Sequence, residues 1–166
     1  MRPPLALRSH RLALRQLDVR DADFVASLYA DTRVTRTLLR IQGPISIDEA
    51  RTCCRRPGAS DGEYRFGAGI QSDGSLIAVG SVRCRAEQRD VATIGYSVLP
   101  AFWGHGYGTE VAALLVEFAV STLRVREVGA TTLDENPASA RFSRNWGSRS
   151  SRPRHPKSIH AGIVAV

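Results

Sequence analysis

The sequence predicts a mixed α/β domain in which an antiparallel meander of strands feeds a helix through a glycine-rich turn. Three observations predict it. Extended stretches at residues 64–70, 76–85 and 91–99 follow one another with only short polar turns between them. Within the last, Ile94, Tyr96 and Val98 alternate with Gly95 and Ser97, and Pro100 lacks the amide that would continue the ladder. After Gly104, Gly106 and Gly108, the apolar positions Val111, Leu114, Leu115 and Phe118 fall at i, i+3, i+4 and i+7, a helical stripe.

In chain order, Leu12 and Leu14 alternate with polar neighbours as in an amphipathic strand. Asp21-Ala22-Asp23 opens a helix through Ala30, with acids in the first turn where the helix dipole favours them. Gly43-Pro44 breaks the chain, and Ser46 with Glu49 forms a capping box for a second helix reaching about Arg56. A loop at 57–62 leads into the three strands, joined by the hairpin chemistry of Ser72-Asp73-Gly74-Ser75 and a polar turn at 87–90. A helix at 109–121, a strand near 127–133 and a short helix from about 138 to 146 complete the order β-α-α-β-β-β-α-β-α. Asn136 and Pro137 suit the cap and first position of that short helix. No internal repeat occurs, and no linker precedes residue 148.

A chain of 166 residues is most simply one domain, long enough to bury a core. Met1–Arg8 offers no apolar run long enough for a signal peptide, so the expected location is cytoplasmic, with no membrane partner. Cys53, Cys54 and Cys84 are odd in number and have neither a disulfide framework nor zinc spacing, so no metal is expected. The net charge of +7 is unevenly placed. Through residue 140, seventeen arginines face sixteen acids, whereas the last 26 residues hold five arginines, Lys157 and no acid. That basic tail can attach weakly to RNA, but no recognition helix or aromatic-and-basic strand accompanies it, which argues against a nucleic-acid partner.

The turn itself carries the chemistry. A helix that begins inside a glycine turn presents free amides and its positive dipole end, which suits a phosphate or pyrophosphate. The dinucleotide fingerprint does not fit, because Thr109 occupies the third glycine place counted from Gly104. Neither does the Walker loop, whose lysine position is also Thr109. The run Trp103-Gly104-His105-Gly106-Tyr107-Gly108-Thr109-Glu110, directly after Ile94-Gly95-Tyr96-Ser97-Val98-Leu99-Pro100, closely resembles the acetyl-CoA-binding motif of the GNAT acetyltransferases. Together with Asn136-Pro137-Ala138-Ser139 and the opening Leu12-Ala13-Leu14-Arg15, it looks most like the branch that acetylates protein N-termini, ribosomal proteins among them.

The resemblance covers roughly residues 10–147 and implies the GNAT fold, a mixed, mostly antiparallel twisted sheet with flanking helices. It also implies transfer of an acetyl group from acetyl-CoA to a primary amine. Amides of His105, Gly106, Gly108 and Thr109 would bind pyrophosphate, with Trp103, Gly104 and Tyr107 completing the cofactor loop. Val98 and Leu99 would hold the pantetheine arm and meet oxyanion charge through backbone amides. Asn136 would touch the cofactor, and Ser139 would protonate the departing thiolate. No general base is assigned: the place two residues before Gly95, often acidic in this branch, is Thr93. His105 is expected to offer its amide or face solvent. A protein α-amino group titrates near about 7.7–8.0, so part of it is already neutral at pH 7.

After Gly147 the chain departs from the family pattern. Residues 148–158 are polar and rich in arginine and proline, a composition that favours disorder, and only 159–166 suits one more short strand. An altered reading frame or gene end would explain a foreign tail on an acetyltransferase core. The expected C-terminal strands are thus atypical or missing, leaving the strand near 127–133 with an edge that a second copy can pair in a homodimer. Two readings stay open: an active amine N-acetyltransferase, and a catalytically degenerate CoA-binding or partner-binding module.

Overall fold

The structure is a computed structural model that describes residues 7–36, 38, 41, 43–55, 62–84, 90–133, 149–151 and 159–165. Its centre is one eight-stranded sheet in the order β1-β2-β3-β4-β5-β6-β8-β7. The strands are β1 (Leu7–Arg8), β2 (Leu12–Gln16), β3 (Glu63–Ile70), β4 (Leu76–Cys84), β5 (Val91–Val98), β6 (Glu127–Leu133), β7 (Arg149–Ser151) and β8 (Ile159–Ala165). The helices are α1 (Ala22–Ala30), α2 (Thr32–Thr35), α3 (Ile47–Cys54) and α4 (Tyr107–Ser121). Among the described residues, no helix is long and apolar enough to cross a membrane.

The meander forms as expected. β3, β4 and β5 pair antiparallel in sequence order, with Ala78 opposite Val98 and Ser81 opposite Gly95. The expected capping box is also present: Ser46 accepts from the Glu49 amide while Glu49 accepts from the amide of Ser46, fixing the start of α3. An analogous box at Asp18 and Asp21 sets a 3-10 turn before α1. Short β1 and the single-turn α2 carried no sequence signal.

Period-two alternation divides the core between the two faces of the sheet. On one face, Phe66, Ala78, Val82, Ile94 and Val98 bury against Val111, Leu114, Leu115 and Phe118 of α4. Tyr64 and Phe66 both meet Phe118 edge-on, at ring centroid distances of 5.2 and 4.8 Å. The opposite face packs Leu17, Val79 and Leu99 against Val25, Leu28 and Tyr29 of α1 and Ala50 and Cys54 of α3. Both helical layers are needed because β4 is apolar on both sides.

Two expectations are corrected by the sheet. The edge of β6 is not open to a second copy, because β8 covers it in a seven-residue antiparallel register from Glu127 opposite Ala165 to Leu133 opposite Ile159. The apolar run Ile159–Ala165 outweighs the polar segment before it, and an unpaired strand edge gains a full ladder by accepting it. The helix after the glycine turn starts at Tyr107, two residues earlier than its apolar stripe implies, since Gly106 supplies the left-handed φ of 81° at its N-cap. The expected short helix near 138–146 lies outside the described residues.

Close packing of α4 depends on Gly80 at the middle of β4. A Cβ there would sit 3.0 Å from both methyl carbons of Leu115, which is fully buried. Gly80→Val should therefore lower unfolding free energy by about 1–3 kcal/mol in urea titration, the range for overpacking a filled core. Adding Leu115→Ala in the same chain should recover part of that loss.

Candidate functional site

β5 and β6 run parallel, but their register covers only Val91–Ile94 against Glu127–Ala130. Beyond Ile94 the two strands part, while β5 continues to Val98 and β6 to Leu133. A parallel pair cannot be joined by a tight turn, so the chain crosses back through α4, whose N-terminus lies at the C-terminal end of β5. The opening between the strands and the start of the helix are thus neighbours.

The glycine turn shapes that start. Gly104 and Gly106 have φ of 78° and 81°, a region that side chains rarely tolerate. No side chain caps α4, and the first helical bond runs from the Glu110 amide to the Gly106 carbonyl, 3.2 Å. The amides of Tyr107, Gly108 and Thr109 precede the ladder and point out of the helix end. Gly108 lies against the sheet, where a Cβ would come within 3.3 Å of the Tyr96 ring and 3.9 Å of Val98. A Cβ on Gly104 would meet nothing within 4 Å, so that glycine serves backbone conformation rather than close contact. This cradle of uncapped amides fits a phosphate or pyrophosphate group.

The other loop residues have defined partners. The Trp103 indole donates to the Val98 carbonyl at 2.7 Å, tying the turn to the end of β5. The Leu99 amide donates to the Ile77 carbonyl at 2.9 Å. Alternation along an antiparallel ladder then turns the Val98 amide away from β4, toward the opening. His105 is exposed, and its ring lies 6.5 Å from that of Tyr107. Asn136 and Ser139 lie outside the described residues.

A cluster around Arg11 has no counterpart in the sequence expectations. Arg11, at the entry to β2, pairs with Glu110 in the first turn of α4 and donates to the His105 carbonyl at 2.9 Å. Its guanidinium also lies 4.1 Å from the centre of the Tyr107 ring, a cation–π contact. Ser9 donates to Glu110 at 2.7 Å. The arrangement braces three consecutive parts of the turn from a strand 99 residues away in sequence. It also neutralises the one acid in the first turn of α4, which would otherwise repel an anion at the helix end.

Partial burial acts to raise the Glu110 pKa, but bonds from Ser9 and Arg11 outweigh it and hold the carboxyl below its ordinary value of 4.5. A folded-state pKa below the unfolded one contributes stability that is present above the unfolded value and lost as pH falls through the folded value. Glu110→Gln should therefore flatten the acid limb of stability. Denaturant titrations between pH 5 and pH 3 are expected to show a smaller loss in the variant than in the wild type.

Residues 11–149 match the family described as acetyltransferase (GNAT) domain. The uncharacterized N-acetyltransferase YoaA of Bacillus subtilis is 28% identical over 144 residues, covering 85% of this chain and 81% of that protein. Among solved structures, a GNAT-family acetyltransferase from Bacillus anthracis superposes with a TM-score of 0.77 at 18% identity, covering 98% of both chains. The spermidine N-acetyltransferase of Vibrio cholerae, in complex with CoA and spermine, gives a TM-score of 0.81 at 14% identity, over 95% of this chain and 96% of that one. The match over most of the chain, on a sheet that parts beside a glycine-cradled helix start, makes this protein a member of the GNAT acetyltransferase family.

Proposed function

We propose that the protein transfers an acetyl group from acetyl-CoA to a primary amine, and that residues 1–147 form the acetyltransferase domain with 148–166 as an atypical tail. The observation that carries this reading is the uncapped start of α4, held by three glycines beside the parting of β5 and β6. The amides of His105, Gly106, Gly108 and Thr109 bind the pyrophosphate, and Arg11 keeps Glu110 from opposing it. Trp103, Gly104 and Tyr107 shape the loop around it. Val98 and Leu99 flank the pantetheine arm, with the Val98 amide directed to the developing oxyanion. Bound acetyl-CoA supplies the activated acetyl group.

Asn136 and Ser139 complete the proposal, as cofactor contact and as proton donor to the thiolate. The acceptor is taken as a neutral amine, which needs only modest help to lose its proton when its pKa lies near that of an α-amino group. Both a protein N-terminus, ribosomal proteins included, and a small amine suit this chemistry. The spermine bound to the Vibrio cholerae neighbour favours the small amine.

Calorimetric titration with acetyl-CoA tests the cradle. Wild-type protein is expected to bind in the micromolar range. In Gly106→Glu, bulk and charge at the helix end should weaken binding by about 100-fold or more, equivalent to losing two charge-assisted hydrogen bonds. Equal binding by a folded Gly106→Glu variant would refute the assignment of the site.

A further inference from the structure

The face of the sheet that carries α1 and α3 is only partly covered. Although β5 is an inner strand, its residues Thr93 and Gly95 on this face are exposed. Register places Arg65 of β3, Ser81 of β4 and Gly95 of β5 in one row across the strands, and Glu63, Arg83 and Thr93 in the next. Ser81 and Gly95 are small, so the floor between Arg65 and the parting of β5 from β6 is low.

Charge in the trough is unbalanced. Glu63 bridges Arg83 at 2.8 Å and Arg65 at 3.3 Å, so one carboxylate serves two guanidiniums. The three side chains are about a third exposed or less: 32% for Arg65, 31% for Arg83 and 20% for Glu63. At the edge of the same face, Arg15 and Asp21 form a two-bond pair at 2.7 and 2.8 Å and cancel each other. Glu127, opposite Val91 one row away, is an exposed acid on the same face, so the imbalance is local to the trio: two guanidiniums, each about a third exposed, share one carboxylate and keep donor capacity that this acid cannot fill.

Resting on the acetyltransferase reading, we propose that this trough receives the acceptor and that Arg65 and Arg83 select an amine carrying a carboxylate. Two interstrand spacings separate Arg65 from Gly95, on the order of 10 Å between backbones, so the carboxylate stands several bonds from the amine. A short peptide with a free N-terminus and a small ω-amino acid both have this form. A polycation such as spermine is disfavoured, since it would bring like charge to the two arginines.

Protein saturated with CoA would be titrated by calorimetry with the dipeptide Ala-Glu, γ-aminobutyrate, spermine and a neutral phenylethylamine. Both acid-bearing amines, or one of them, should bind at least about 10-fold more tightly than spermine or phenylethylamine, as one charge-assisted bond requires. The two acidic probes distinguish a peptide from a small-molecule source. Arg83→Gln should weaken the acid-bearing amine about 10-fold and leave phenylethylamine unchanged, while Glu63→Gln should tighten it. A merely structural trio would instead show both variants weakening every probe together. Thermal melts and CoA affinity of each variant confirm that it is folded. Tightest binding of spermine, or no binding of either acidic amine by protein that holds CoA, would overturn the acceptor assignment alone. Failure to bind CoA would overturn both readings.

Discussion

The four-residue parallel pairing of β5 with β6 is the constraint on which the site depends. Parallel strands must be joined by a crossover, and a crossover helix begins where its preceding strand ends. Because pairing stops at Ile94 and Ala130, the helix starts beside strands that have already separated. A pair joined along its whole length would place the same uncapped amides over a closed sheet. The glycine turn and the early parting are thus one device, and the core beneath α4 holds it in place.

Much of this was legible because it is local. The alternation Ile94, Tyr96, Val98 marks a strand, the i, i+3, i+4, i+7 stripe marks a helix, and Ser46 with Glu49 marks a helix start within four residues. Each signal reports on a chain segment and its immediate neighbours, and the strands of the meander and β6 appear where these signals put them. The glycine positions were legible for the same reason, because a left-handed backbone has a strong residue preference.

The remainder depends on distant partners. Nothing around Arg11 or Ser9 signals that they hold Glu110, and Glu110 reads in sequence as an ordinary acid favoured by a helix dipole. Similarly, Glu63, Arg65 and Arg83 look like polar members of alternating strands until the register of β3 and β4 aligns them. The pairing of β8 with β6 was missed because the polar run before Ile159 dominates the composition of the tail. Edge pairing is decided by which strand lies unpaired in space, and composition does not record that.

The Arg11 brace has a consequence for how the protein acquires its shape. Its three contacts join the first long strand to a turn almost a hundred residues later, so they form only after an extended loop has closed. Contacts of such sequence separation slow folding, because chain entropy is lost before they return any energy. The β3–β5 meander is built from neighbouring segments, whereas the brace on the glycine turn, unlike its local tie from Trp103 to Val98, requires β2 to have docked at the sheet. The phosphate cradle thus draws part of its rigidity from the N-terminal strand, so a change at the start of β2 reaches the binding turn although the two lie almost a hundred residues apart.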